Sequence, residues 1–402
     1  MSTSRPLLPT IVLRRHEERR LQRGHLWVYS NEVDVKQTPL KGFAPGEPVT
    51  VLAQGGQPLG SGYINPHSLI CARLISYRRD VVLDRRLLDA RLRAALELRE
   101  SLFDRPSYRL VHGEGDSLPG LVVDRYDDVL VVQINTAGIE RLRDDLLAAL
   151  VELLAPRAIL LRNDTPLRGL EGLDTAVETV HGTLPETLTV DEGGLRFEVP
   201  ASDGQKTGWF FDQRPNRDRL IRYAEGRRVL DLFSYVGAWG LRAAAAGANE
   251  VLCVDSSAPA LARLEANATA NGVADRVVTR RGDVFEVLRK LRDAGERYET
   301  VVVDPPALIK RRKDHKAGLE AYRRLNRRAL QVLAPGGILL TSSCSYHLSR
   351  DELRVALERA ARQVDVDLQI IEQGHQGPDH PVHPAIPETD YLKCLVARRL
   401  PA

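Results

Sequence analysis

Long apolar runs are missing from this 402-residue chain. None approaches the ~20 residues that cross a bilayer, so no membrane span is expected. The first residues carry no apolar core ahead of a small-residue cleavage site, so no secretion signal is expected and the cytoplasm is the expected compartment. Paired cysteines are also missing. Cys71, Cys253, Cys344 and Cys394 are scattered and form no C-x-x-C, which argues against a zinc site and a disulfide framework. Neither G-x-G-x-x-G nor G-x-x-x-x-G-K-[ST] occurs, which weighs against a dinucleotide and a triphosphate.

The formal net charge of +3 hides an asymmetry. Residues 1–79 hold 11 Lys and Arg against 5 Asp and Glu, and the remainder holds 46 against 49. A basic first region on a near-neutral body suggests an anionic partner, most often nucleic acid. Residues 9–79 alternate short apolar runs with glycine-rich turns, the pattern of a small β-barrel-like domain. Arg14, Arg15, Arg19, Arg20, Arg23, His25 and Trp27 cluster there. Charge for phosphate and a ring for stacking suit an RNA surface; the other reading places Trp27 in the core and the arginines on a solvated face.

Apolar spacing predicts an amphipathic helix over 82–105. Strands over 108–112, 121–124, 129–134 and 158–161 and a helix over 139–154 follow, in a block ending near Asp174. His112, Glu114 and Asp116 fall on a loop of it and Asp124 closes a strand; the three loop residues are expected to be solvated rather than part of a metal or acid/base site. A strand pair over 189–200 then leads into a polar loop, residues 202–217, with Trp209 and Phe210 in its middle. From Arg228 strands and helices alternate, predicting a parallel α/β sheet with an antiparallel last pair near 368–372 and 391–398.

Within that half, the apolar run Val229–Leu232 carries Asp231 and is followed by a turn with Gly237 and Gly240 and an alanine-rich helix. Such a unit offers backbone N–H groups to a ligand. Asp231, Asp255, Asp283 and Asp304 each stand at or just past the end of successive predicted strands. Four carboxylates facing one crevice would repel a pyrophosphate and welcome a sulfonium cation with an α-amino group, which points to S-adenosylmethionine (SAM). Asp304 opens Asp-Pro-Pro, a stiff turn that faces a planar acceptor, and Cys344 ends the fifth strand at the same edge. A thiolate beside a pyrimidine ring can add to carbon-6 and make carbon-5 nucleophilic.

The stretches Gln205–Arg214, Asp231–Gly237, Val303–Pro306, Ser342–Cys344 and Asp379–Pro384 carry a resemblance that spans nearly the whole chain. It resembles the bacterial 23S ribosomal RNA cytosine-5 methyltransferases that begin with a PUA domain, and its C-terminal half resembles a class I SAM-dependent methyltransferase. The resemblance implies a PUA-like RNA-binding domain over 1–79, a mixed α/β middle domain over 80–194 and a Rossmann-like catalytic domain over 195–402. It implies Cys344 as nucleophile, Asp304 as the base-recognising carboxylate, and Asp255 and Asp283 as ribose and adenine contacts. Lys206, Asp212, Gln213 and Arg214 match a loop near the cofactor. Phe210, Asp231, Phe233, Ser234, Gly237 and Asp304 complete the expected cofactor set. Arg14, Arg15, Arg23, Trp27, Lys310, Arg311 and Arg312 are the expected RNA contacts.

Two departures matter. Related cytosine-5 enzymes often carry a second cysteine directly after the two prolines, and amine methyltransferases an aromatic; Ala307 stands here. The first leaves the proton-abstracting base unassigned, with Asp304 or a water as candidates. The second argues against an amine target. The expected partner is ribosomal RNA, no metal is expected, and oligomeric state stays open with a homodimer as one option. The alternatives are SAM-dependent methylation of another RNA, a small molecule or a protein, and a non-catalytic RNA-binding protein.

Overall fold

The computed structural model describes residues 7–201 and 207–401. The chain forms two compact units. One comprises Met1–Leu188, Pro200–Trp209 and Pro378–Thr389; the other comprises Thr189–Val199, Phe210–Gly377 and Asp390–Ala402.

The first unit holds two five-stranded sheets. The N-terminal sheet joins Thr10–Val12, Glu47–Leu52, Pro58–Ile64, Ile70–Ser76 and Trp27–Tyr29, in that spatial order. Inward residues of these strands, among them Ile11, Val28, Val49, Val51 and Leu74, make one apolar core. The second sheet runs Ala176–Gly182, Ala158–Asn163, Val129–Ile134, Leu121–Tyr126, Ser107–His112. Its edge strand Ala176–Gly182 lies beyond the block end expected near Asp174; the strand is mostly exposed, so its sequence carries little apolar alternation. The helix Arg85–Leu102 starts at Asp84, whose carboxylate accepts from the Leu87 N–H at 2.9 Å. It buries Leu88, Leu92, Ala95 and Leu96 in the core of this sheet.

Arg99 on the same helix is fully buried. Its guanidinium grips Asp116 at 2.6 and 2.8 Å and donates to the Asp379 carbonyl at 2.8 Å. Arg109 grips fully buried Asp124 in the same bidentate fashion. Asp116 is therefore ion-paired rather than solvated as expected, and Asp124 at its strand end is ion-paired as well.

The second unit is built on one seven-stranded sheet. Its strands in chain order are β1 (Arg228–Leu232), β2 (Glu250–Asp255), β3 (Val277–Arg281), β4 (Tyr298–Val303), β5 (Leu333–Ser343), β6 (Leu368–Gly374) and β7 (Lys393–Arg399). The spatial order is β3-β2-β1-β4-β5-β7-β6. The first five strands are parallel; β7 runs antiparallel to both β5 and β6. Helices α1 (Ala238–Ala245), α2 (Ala258–Ala270), α3 (Val284–Asp293), α4 (His315–Val332) and α5 (Arg350–Arg362) fall between the strands. Parallel neighbours require such crossovers. A short helix, Arg214–Leu220, and the hairpin Thr187–Glu192/Leu195–Pro200 precede the sheet in sequence.

Candidate active site

The order of the strands arranges the candidate residues. The chain reverses direction of travel across the sheet at β1, which has β2 on one side and β4 on the other. Ligands of open α/β sheets bind at that switch, outside the carboxyl ends of the strands. Reading across that edge gives Asp283 after β3, Asp255 ending β2, the turn after β1, Asp304 after β4 and Cys344 after β5. Adjacent strands are about 4.8 Å apart, so Asp304 and Cys344 stand on neighbouring strands while Asp255 lies on the far side of β1.

The turn after β1 is strained. Phe233 and Tyr235 have φ of 64° and 50°, a region non-glycine residues seldom occupy, and Gly237 follows at 94° as the N-cap of α1. Gly240 lies inside α1 rather than at its start. A Cβ there would sit 2.4 Å from the Cys253 sulfur and 3.1 Å from Asp231 Oδ2. The two glycines thus do different work, one for backbone angle and one for close packing of α1 on the sheet.

Asp231 departs from the expectation that four carboxylates face a common opening. It is fully buried, and its Oδ2 accepts from the Gly240 N–H at 2.9 Å. Burial, with Asp304 and Asp255 nearby, pushes its carboxyl well above the usual range. Asp255 is partly exposed and accepts from the N–H of Tyr235 at 2.9 Å and of Ser257 at 2.8 Å. Asp283 is exposed and caps α3 through the Glu286 N–H at 3.1 Å. Capping and ligand binding are compatible, since each carboxylate keeps free lone pairs.

Asp304 is held by side chains where Asp255 is held by backbone N–H groups. Gln213 Nε2 donates to its Oδ1 at 2.8 Å and Trp239 Nε1 to its Oδ2 at 2.9 Å. Burial raises its carboxyl to about 6, with Asp212 adding to the rise and Trp239, Arg217 and Gln213 opposing it. Gln213 is oriented in turn by Asn216, which donates to its Oε1 at 2.7 Å.

The loop residues expected near the cofactor are tied into the unit. Buried Asp212 accepts from the Tyr391 hydroxyl at 2.6 Å. Phe210 makes an edge contact with the ring of Tyr235, centroids 6.0 Å apart. Arg214 pairs with buried Glu192 at 3.4 Å, as do Arg217 at 2.5 Å and Arg242 at 3.1 Å. Burial alone would raise the Glu192 carboxyl; the three guanidinium groups outweigh it and hold it at about 2. Lys206 lies outside the described residues.

Cys344 follows directly on β5 and is partly exposed, whereas Cys71, Cys253 and Cys394 are fully buried. The serines on both sides of it are pinned by one hydroxyl. Ser343 Oγ donates to the Tyr322 hydroxyl at 2.8 Å, and the same hydroxyl bonds Ser345 Oγ at 2.9 Å. Ser345 Oγ also accepts from the Ile309 N–H at 3.1 Å, which ties the Cys344 turn to the segment after Asp-Pro-Pro. Trp239, Glu192 and Tyr322 escaped the reading of the sequence, because each acts through a partner remote along the chain.

Of the expected RNA contacts, Arg14, Arg15, Arg23, Lys310, Arg311 and Arg312 are exposed. Arg14 also donates to the Val33 carbonyl at 3.2 Å, and Arg311 pairs with Asp314 at 2.9 Å. Trp27 is half-buried, packs against the core of the first sheet and donates to Glu114 at 2.8 Å.

A SAM-shaped occupant fits the edge. Among the described residues, two buried polar atoms at the end of β1 and in its turn, Asp231 Oδ1 and Ser234 Oγ, have no hydrogen-bond partner. A carboxylate stands where a ribose would need one, at the end of β2.

Comparison with known proteins agrees with this geometry. Residues 108–398 match the model of the S-adenosylmethionine-dependent methyltransferase family, and residues 11–77 match a PUA-like domain. The ribosomal RNA large subunit methyltransferase I of Shewanella amazonensis is 39% identical over 394 residues, covering 96% of this chain and 98% of that protein. The protein of the same name from Erwinia tasmaniensis is 37% identical with the same coverage. A solved structure from Streptococcus mutans shares the fold, superposing with a TM-score of 0.82 at 21% identity and covering 97% of this chain and all of that one. The chain therefore belongs to the S-adenosylmethionine-dependent methyltransferases, in the same family as the ribosomal RNA large subunit methyltransferase I proteins, and carries an N-terminal PUA-like domain.

Proposed function

We propose that this enzyme methylates carbon-5 of a cytosine in large-subunit ribosomal RNA, in the cytoplasm, through a covalent adduct with Cys344. The observation that carries the reading is the pairing of Asp304 and Cys344 on adjacent strand ends, with Cys344 accessible and the other three cysteines buried. The names of the relatives support the substrate class.

SAM supplies the methyl group from its sulfonium. Asp255 and Asp283 would hold its ribose and adenine, and Lys206, Phe210, Asp212, Gln213, Arg214, Phe233, Ser234 and Gly237 would shape the rest of its site, with Asp231 fixing the turn from below. Asp304 accepts a hydrogen bond from the exocyclic amine of an extruded cytosine. The Cys344 thiolate adds to carbon-6, which makes carbon-5 enamine-like, and carbon-5 takes the methyl group. A base then removes the carbon-5 proton, and the carbon–sulfur bond breaks to return the thiolate. Arg14, Arg15, Arg23 and the Lys310–Arg312 segment would contact RNA phosphates, and Trp27 would buttress that surface.

The test is to incubate the protein with labelled SAM and unmodified ribosomal RNA, digest, and identify the labelled nucleoside. Label in 5-methylcytidine is expected, and Cys344→Ser is expected to abolish it. Label on a purine, or full turnover by Cys344→Ser, would overturn the proposal.

A further inference from the structure

Lys393 opens β7, directly opposite Ser343 in the antiparallel β5–β7 ladder. It is 5% exposed. Its Nζ donates to the Ser345 carbonyl at 2.8 Å and to the Tyr391 carbonyl at 2.7 Å. The ammonium is thus bonded to the residue after Cys344 from a backbone register opposite the residue before it. An ammonium has three hydrogens; the two carbonyls use two of them. Two carbonyl acceptors need no charge, and an amide side chain or a water would satisfy them without burying one. Something else has to compensate the charge.

We propose that the Lys393 ammonium holds the neighbouring Cys344 as a thiolate, making Lys393 the positioning residue that readies the nucleophile. This rests on Cys344 being the nucleophile. Burial lowers the Lys393 amine to about 8, and among the groups that face it the Cys344 thiolate opposes that fall most, with Asp390 and Glu352 acting the same way and Arg350 the reverse. The amine therefore remains largely an ammonium at neutral pH. When the thiol ionises its proton passes to solvent, and the positive charge beside the turn stabilises the sulfur anion left behind. The same charge makes the returned thiolate a better leaving group after methyl transfer.

The experiment is the pH profile of iodoacetamide alkylation of the intact protein, read by mass spectrometry at Cys344. The wild-type midpoint is expected below the ordinary thiol value of about 8.5. Lys393→Met is expected to move it up by about one unit or more and to slow alkylation at pH 7 about fivefold or more, while Lys393→Arg keeps the wild-type profile. A folded Lys393→Met whose profile superimposes on wild type overturns the proposal. Should Lys393→Met fail to fold, the wild-type profile decides: a midpoint at or above about 8.5 overturns it and a lower one supports it. The two readings separate cleanly. An uncoupled profile with inactive Cys344→Ser removes only the role of Lys393; a coupled profile with active Cys344→Ser removes the nucleophile.

Discussion

Asp304 accepts from Gln213 and Trp239, both of which favour its ionised form, and still titrates at about 6 because burial outweighs them. An acceptor role needs the ionised form, so kcat/KM is expected to fall as pH drops through about 6. Trp239→Phe removes one stabilising N–H; the acid limb should then move up by about half a unit or more. A pH–rate series on both proteins checks this, and a limb that stays in place contradicts the assignment. The stability linkage has its own sign. The folded carboxyl binds its proton more tightly than the unfolded one, so this group's contribution is full below about 4 and is lost as pH rises to about 6. Asp255, Asp304 and Cys344 were legible in the sequence because each closes an apolar run, and parallel strands put such residues on one edge. Trp239 was not, since its indole reaches Asp304 across 65 positions of sequence.

At the scale of elements, α1 rests against β1 and β2 through the absence of a side chain at Gly240. Gly240→Ala places a methyl 2.4 Å from the Cys253 sulfur. Overpacking of this kind costs about 1–3 kcal/mol, and the shifted helix would also disturb the strained turn at Phe233–Gly237. Weaker SAM binding by calorimetry and a lower melting temperature are expected, with substantial recovery in Gly240→Ala/Cys253→Ala. Absence of any recovery would place the strain at Asp231 instead. Strand–helix alternation was readable after Arg228 because buried parallel strands are continuous apolar runs. The start of β5 was not: Pro335 and two glycines interrupt the apolar run, yet the strand runs from Leu333 past an irregularity in its pairing with β4.

For the whole molecule, the charge asymmetry becomes a salt dependence. Arg14, Arg15 and Arg23 are exposed on the PUA-like domain. Each phosphate contact contributes about 0.7–0.9 to the slope of log affinity against log salt. The triple alanine variant is expected to reduce that slope for ribosomal RNA by about 2–3 and to leave SAM affinity unchanged. An unaltered slope would remove these arginines from the RNA surface. The contacts sort the chain into two units that share it in alternating segments. Long-range anchors such as Arg99 on Asp379 leave no periodic trace, so such sorting could not be read in advance.

That alternation bears on how the protein comes to be folded. β6 and β7 pair across the stretch 375–392, of which Pro378–Thr389 belongs to the first unit. Arg99 and Arg109 fasten Asp379 there, and Gly115 admits the Pro381 carbonyl so closely that a Cβ would lie 2.1 Å from it. Closing a hairpin over a free loop of this length is entropically unfavourable. Docking of the returning segment within the first unit shortens that loop. Lys393, the first residue of β7, takes its place opposite Ser343 only when that strand pairs with β5, so on the proposed role of Lys393 the nucleophile is readied by a long-range pairing rather than by its own segment.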